Sequence, residues 1–217
     1  MSAVENYPRI SPFLWFDQNA AEAVDFYLTV FKNSRRVSEF KITTDGGPVP
    51  KGTPLTIVFE LDGQMFIALN GGPHFKFNEA VSFVIRCESQ QQIDHYWDAL
   101  TTNGGQESQC GWLKDKFGLS WQIVPRSLGK LLGDPDPARA GRAMREMMTM
   151  SKLDIDRMER DGTGRERRSG VTFATMMVHV RHRGFYHPQL RFRPSPYSPH
   201  DHHDHPSRAG SAGRLPV

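Results

Sequence analysis

Cysteine is scarce here: the chain of 217 residues contains two, Cys87 and Cys110, with no CxxC spacing. That excludes a zinc ribbon and a disulfide framework, and it makes a reducing cytoplasm the expected setting. Long apolar runs are missing as well. No window approaches the roughly 18 consecutive apolar residues of a membrane span, and Met1-Ser2-Ala3-Val4-Glu5 lacks the basic and then apolar pattern of a leader. No membrane contact is expected. Net charge is small, +3 overall, so the chain as a whole has no strong field to steer nucleic acid.

The charge that exists is unevenly placed. Residues 1–160 carry 18 basic and 20 acidic side chains, whereas residues 161–217 carry 9 and 4. The same 57 residues hold six prolines and seven of the nine histidines, with one short apolar patch from Val171 to Val180 and no sustained period elsewhere. Such a composition does not bury enough apolar surface to offset its ordering entropy, so 161–217 is expected to be a disordered Arg/Pro/His-rich tail. His200, His202, His203 and His205 form a weak, unspecific metal-capturing tract at most. The arginines offer phosphate contacts but no base-reading element, so nucleic acid is not an expected partner.

Residues 7–160 read as one domain built from a repeat. Asn19-x-x-Glu22 has the form of a capping box, and Ala20, Ala23, Val24, Tyr27, Leu28 and Phe31 follow at helical spacing. Ser89-x-x-Gln92 opens a second helix in the same way, continuing Ile93, Tyr96, Trp97 and Leu100. The two helices align at an offset of 69, which pairs Val24 with Ile93, Asp25 with Asp94 and Tyr27 with Tyr96. A short apolar strand precedes each, 10–16 and 81–87. Val37 to Thr43, Leu55 to Leu61 and Met65 to Leu69 read as further strands, with Asp62-Gly63 as a two-residue hairpin turn. In the second half Phe117-Gly118 turns into Leu119 to Val124, at an offset of 55.

The expected fold is therefore α+β, two βαβββ modules at about 7–72 and 78–126, packed as a pair with a ligand cleft between them. A helical appendix, 127–160, follows: Ser127 to Leu132 stopped by Gly133, then Asp136 as N-cap with Pro137 in the first turn, and Met144, Met147 and Met148 on one face. Trp15 and Trp121 are expected in the core, and Lys114-Asp115-Lys116 as a solvated turn.

Three segments carry a resemblance: Ile10-Ser11-Pro12-Phe13-Leu14-Trp15-Phe16-Asp17, then Ala68 through Phe77, which includes Asn70-Gly71-Gly72-Pro73-His74-Phe75, and Cys110 through Pro125. Together they are similar to the PhnB-like proteins of the vicinal-oxygen-chelate superfamily, which also holds glyoxalases, extradiol dioxygenases and antibiotic-resistance proteins. Many PhnB-like members carry the label 3-demethylubiquinone 3-methyltransferase. The resemblance implies paired βαβββ modules, a glyoxalase-like fold and a homodimer. In that superfamily a divalent metal is held by His and Glu side chains. The matching positions here fall near Ile10, near Ala80, at Ile67 or Leu69, and at Gln122, so the resemblance brings no metal ligand set with it. A Rossmann-type methyltransferase needs a glycine-rich turn after its first strand, and Asp17-Gln18-Asn19-Ala20 supplies none.

The expected function is thus binding of a small, unidentified molecule without catalytic metal or cofactor, with Asn70, His74, Phe75, Trp112 and Gln122 as ligand-binding residues and no catalytic residue assigned. His74 is one of two histidines before the tail and a candidate proton carrier. An enzyme of the superfamily, transferase or metal-assisted lyase or dioxygenase, is the alternative.

Overall fold

The computed structural model describes residues 7–46 and 49–160. The expected disordered tail and its histidine tract lie outside the described residues. Two modules follow one another. The first runs β1 (Phe13–Phe16), α1 (Ala20–Val30), β2 (Ser34–Lys41), β3 (Pro54–Leu61) and β4 (Gln64–Asn70). The second runs β5 (Phe83–Cys87), α2 (Gln90–Thr101), β6 (Gln106–Glu107), β7 (Trp112–Lys114) and β8 (Ser120–Pro125). Their sheets have the same order, β1-β4-β3-β2 and β5-β8-β7-β6, with the first strand parallel to the last in each. The repeat expected from the sequence is therefore a repeat of topology.

Local chemistry sets the boundaries. β1 begins at Phe13 rather than Ile10 because Pro12 has no N–H to donate, and Ile10 is 89% exposed. Asp62 and Gly63 have φ of 46° and 86°, the left-handed pair that a tight hairpin requires, and the β3–β4 turn falls where Asp-Gly placed it. β2 starts earlier and stops earlier than Val37 to Thr43, with register shifts between Arg36 and Ser38 and again between Phe40 and Lys41.

The two helix starts differ. At α2 the Ser89 side chain accepts from Gln92 N–H at 3.3 Å, while Gln92 Oε1 accepts from Glu88 N–H at 2.8 Å, so the box forms with its return arm one residue further back. At α1 the expected box does not form. Asn19 sits at φ −110°, ψ 22° with no side-chain cap; instead Ala20 N–H donates to Asn70 Oδ1 across the module at 2.9 Å, and Glu22 pairs with Lys116 Nζ at 2.8 Å. A partner from a distant strand has displaced the local one.

The caps Asn19 and Ser89 are also 70 residues apart, and at that offset buried Ala23, Tyr27 and Val30 match buried Ile93, Trp97 and Leu100. The alignment at 69 is corrected by one position. At the last strand the offset of 55 holds: Gly71 N–H donates to Phe16 O (2.9 Å) as Arg126 N–H donates to Cys87 O (2.8 Å).

The modules join through their helix-covered faces. A continuous core contains Leu14, Phe16, Tyr27, Phe59 and Phe66 from the first with Ile93, Trp97, Leu113, Trp121 and Ile123 from the second. Aromatic rings interlock across the junction: Tyr27 on Trp121 at 5.7 Å between centroids, Phe31 on Trp121 at 5.3 Å, Phe66 on Phe83 at 5.0 Å. These contacts fill the helix-side junction of the two repeats.

At its centre is Asp115, 2% exposed. Its Oδ2 accepts from the Tyr27 hydroxyl (2.8 Å) and Trp121 Nε1 (2.9 Å), and its Oδ1 from the N–H groups of Phe117 (2.9 Å) and Leu119 (3.0 Å). The expected solvated turn at Lys114-Asp115-Lys116 is thus corrected: the middle residue is a buried carboxylate tying α1 to β8. Burial raises its pKa, and the four donors pull the other way. Burial, and then the neighbouring carboxylate, hold the Tyr27 hydroxyl well above its ordinary value, so it remains a donor.

The appendix comprises α3 (Leu128–Leu132), α4 (Pro137–Met148), capped by the Asp136 side chain with Pro137 in its first turn, and α5 (Ile155–Glu159). Met147 packs on Met150, Leu153 and Met158, and Met148 Sδ meets Cys110 Sγ at 3.5 Å. The Met face is packing. Cys110 and Gly111 donate to Met150 O and Ser151 O, both at 2.8 Å, fastening this segment to the second module.

Candidate functional site

Because side chains alternate along a strand, each sheet has a second face away from the shared core. On the first sheet the registers set Phe40, Thr56, Leu69 and Trp15 in one row and Ser38, Val58, Ile67 and Phe13 in the next. Phe13 is 54% and Phe40 52% exposed. On the second sheet Trp112, Gln122 and Val84 form a row, flanked by the Lys114–Ser120 pair, and Val84 is 59% exposed. These outward faces carry the apolar and polar groups that the core does not use.

The sequence-predicted residues separate into three places. Asn70 is 1% exposed and fully engaged: beyond its bond from Ala20, its Nδ2 donates to Pro54 O at 2.8 Å. It is a strap between β4, α1 and β3. Replacing it by alanine strands one buried donor and one buried acceptor, and is expected to lower unfolding free energy by about 2 kcal/mol in a urea titration. Phe75 and His74 lie beyond β4, both exposed. The Phe75 ring meets Trp15 edge-on at 4.9 Å, and the Trp15 indole donates to Gly72 O at 2.9 Å. A Cβ on Gly71 would come within 2.3 Å of that indole, so only glycine lets Trp15 lie there. Trp15 is therefore a part-exposed member of this ledge rather than the core residue expected, while Trp121 is core as expected.

Trp112 and Gln122 are the two candidates that the fold makes direct neighbours, opposite each other on β7 and β8. Gln122 Nε2 donates to Ser82 Oγ at 2.8 Å. Lys114, one step along, forms an ion pair with Glu79, and that hydrogen bond holds the Glu79 carboxyl below the ordinary carboxylate value. Ser120, opposite Lys114, is 1% exposed, and its Oγ has no hydrogen-bond partner among the described residues. Sequence reading missed Ser120 and Val84. The alternation with Trp121 and Ile123 is the signal that places Ser120 and Gln122 on one face.

The residues at the superfamily's metal positions do not make a donor set. Ile10 points into solvent, Ile67 is packed with Val58 and Met65, and the Gln122 amide is committed to Ser82. Among the described residues, no group of three or more His, Cys, Asp or Glu is placed to hold an ion. An amide oxygen beside aliphatic side chains does not fit a divalent cation.

The model of the 3-demethylubiquinone-9 3-methyltransferase family matches residues 8–124, which is both modules as far as β8. The chain belongs to that family. A solved PhnB protein from Bacillus cereus is 32% identical, with 54% of this chain and 99% of that one covered, at a TM-score of 0.50. A glyoxalase/bleomycin resistance protein from Albidiferax ferrireducens is 15% identical over 55% of this chain and 99% of its own, at 0.36. A glyoxalase-related enzyme from Fulvimarina pelagi is 12% identical over 56% and 91%, at 0.38. Among curated proteins, none matches the chain. The family match ends inside β8, and α3 to α5 lie outside the matched residues. Among the described residues no helix is long and apolar enough to cross a membrane.

Proposed function

We propose that this PhnB-like protein binds a small, partly planar molecule on the outward face of its second sheet, without a divalent metal. The observation that carries the reading is the row Trp112–Gln122–Val84: a flat aromatic surface, a carboxamide and an exposed aliphatic side chain side by side, next to the Ser120 hydroxyl, which has no hydrogen-bond partner among the described residues. Surfaces of this make-up bind by apolar contact and take orientation from a few polar groups. His74 and Phe75, beside Trp15, are the second, more exposed set of contacts in this proposal.

The apolar outward rows also support a homodimer. Phe13 and Phe40 together leave a surface on the first sheet that a second copy would cover, as the family resemblance implies. Phe13→Asp is expected to shift the chain to the monomer in sedimentation at unchanged helix content; a wild-type chain that sediments as a monomer removes the dimer from the proposal.

The test of binding is unbiased mass spectrometry of small molecules released from the purified full chain. Trp112→Ala is expected to weaken the recovered ligand by about tenfold, the order of one lost aromatic contact of roughly 1.4 kcal/mol. Elemental analysis should find no stoichiometric divalent ion, and one ion per chain would favour a metal-assisted lyase. The family description favours a second reading, a methyltransferase. Stoichiometric calorimetric binding of S-adenosylmethionine would replace the first reading with that one.

A further inference from the structure

The chain contains two Asn-Gly dipeptides outside the tail, and the fold treats them in opposite ways. At Asn70-Gly71 every reacting group is held: the carboxamide bonds to Ala20 N–H and Pro54 O, and Gly71 N–H donates to Phe16 O at 2.9 Å. At Asn103-Gly104, beyond the C-terminus of α2, both residues are exposed. Asn103 stands at φ 58° and Gly104 at φ 108°. No hydrogen bond among the described residues reaches the Asn103 carboxamide or the Gly104 N–H. The nearest atom to a Cβ placed on Gly104 would be 4.0 Å away, so the space beside Gly104 Cα is open.

We infer that Asn103 is a site of spontaneous deamidation and isoaspartate formation in the native protein, and that the fold protects Asn70 from the same reaction. The Gly104 amide nitrogen attacks Asn103 Cγ and forms a C–N bond. The Cγ–Nδ2 bond breaks, and ammonia leaves with the proton lost from Gly104. Water then opens the resulting succinimide at one carbonyl or the other, to aspartate or isoaspartate. One water is consumed, one ammonia is released, and nothing is oxidised or reduced. The product places a carboxylate just past the last turn of α2, where the helix dipole disfavours negative charge. It thereby marks aged molecules in the connection leading into β6.

The experiment is peptide mapping by mass spectrometry of the full chain aged in mildly alkaline buffer, folded and in urea. In the folded chain the Asn103 peptide should gain one mass unit at a rate within about threefold of the urea sample, while the Asn70 peptide converts about a hundredfold or more slowly than in urea, because its reaction must wait for local opening. Asn103→Gln should abolish the gain in its own peptide only. Asn103 protected by more than about tenfold on folding, or Asn70 keeping pace with it, would overturn the inference.

Discussion

Asp115→Ala is expected to be the most damaging substitution in the described part of the chain, lowering unfolding free energy by about 4 kcal/mol. The side chain is 2% exposed and accepts four hydrogen bonds, two from backbone N–H groups of its own turn and two from Tyr27 and Trp121. Truncation leaves all four donors in a filled aromatic core. Urea denaturation followed by tryptophan fluorescence measures the loss, and a loss below about 1 kcal/mol would mean that water replaces the carboxylate at no great penalty. Tyr27→Phe removes one donor and leaves none stranded; a drop of about 1 kcal/mol is expected. The pH dependence has a definite sign. Because burial sets the Asp115 pKa above its unfolded value, the stability this group contributes is full below the ordinary carboxylate range and declines as pH rises through the raised value. The gap between wild type and Asp115→Ala should therefore narrow on going from acid towards neutral pH.

Gly111→Ala is expected to lower unfolding free energy by about 3 kcal/mol. At φ 85° an L side chain is strained, and the added Cβ would lie 2.6 Å from Ile123 O and 3.1 Å from the Leu153 side chain. The carbonyl is backbone and itself part of a sheet, so it has no rotamer by which to retreat. Gly111 also bonds in two directions, accepting from Ile123 N–H at 2.7 Å and donating to Ser151 O at 2.8 Å. Misplacing it would loosen both β8, which carries Gln122, and the appendix. The control is Gly118→Ala: φ is 86° but nothing lies within 4 Å, so only the backbone strain of about 1 kcal/mol remains. Equal effects at the two glycines would show that the contact with Ile123 is relieved by relaxation.

Particular residues show how far a sequence can be read for this fold. Asp62-Gly63, Ser89 with Gln92, and Asp136-Pro137 are local devices, and each appears where its spacing put it. Asn19 with Glu22 has the same local form and failed, because Asn70, 50 residues on, supplies Ala20 with a partner instead. Trp15 and Trp121 look alike in sequence, each an aromatic in a strand. One lies in the shared core and the other against Gly71 on the outward face. Among the candidate site residues, Trp112 and Gln122 came together because β7 and β8 are neighbours in register, whereas Asn70 was turned to the helix side and is consumed there.

By itself the sequence determined that the domain is duplicated, where most strands and helices fall, and which side chains alternate, since these follow from periods of 2.0 and 3.6 residues and from turn chemistry spanning a few positions. Tertiary structure alone decided that the modules meet through their helix sides and that Asp115 lies buried in that junction. Those outcomes depend on pairs such as Tyr27 and Asp115, 88 residues apart, and a hydrogen bond over that separation leaves no periodic trace along the chain.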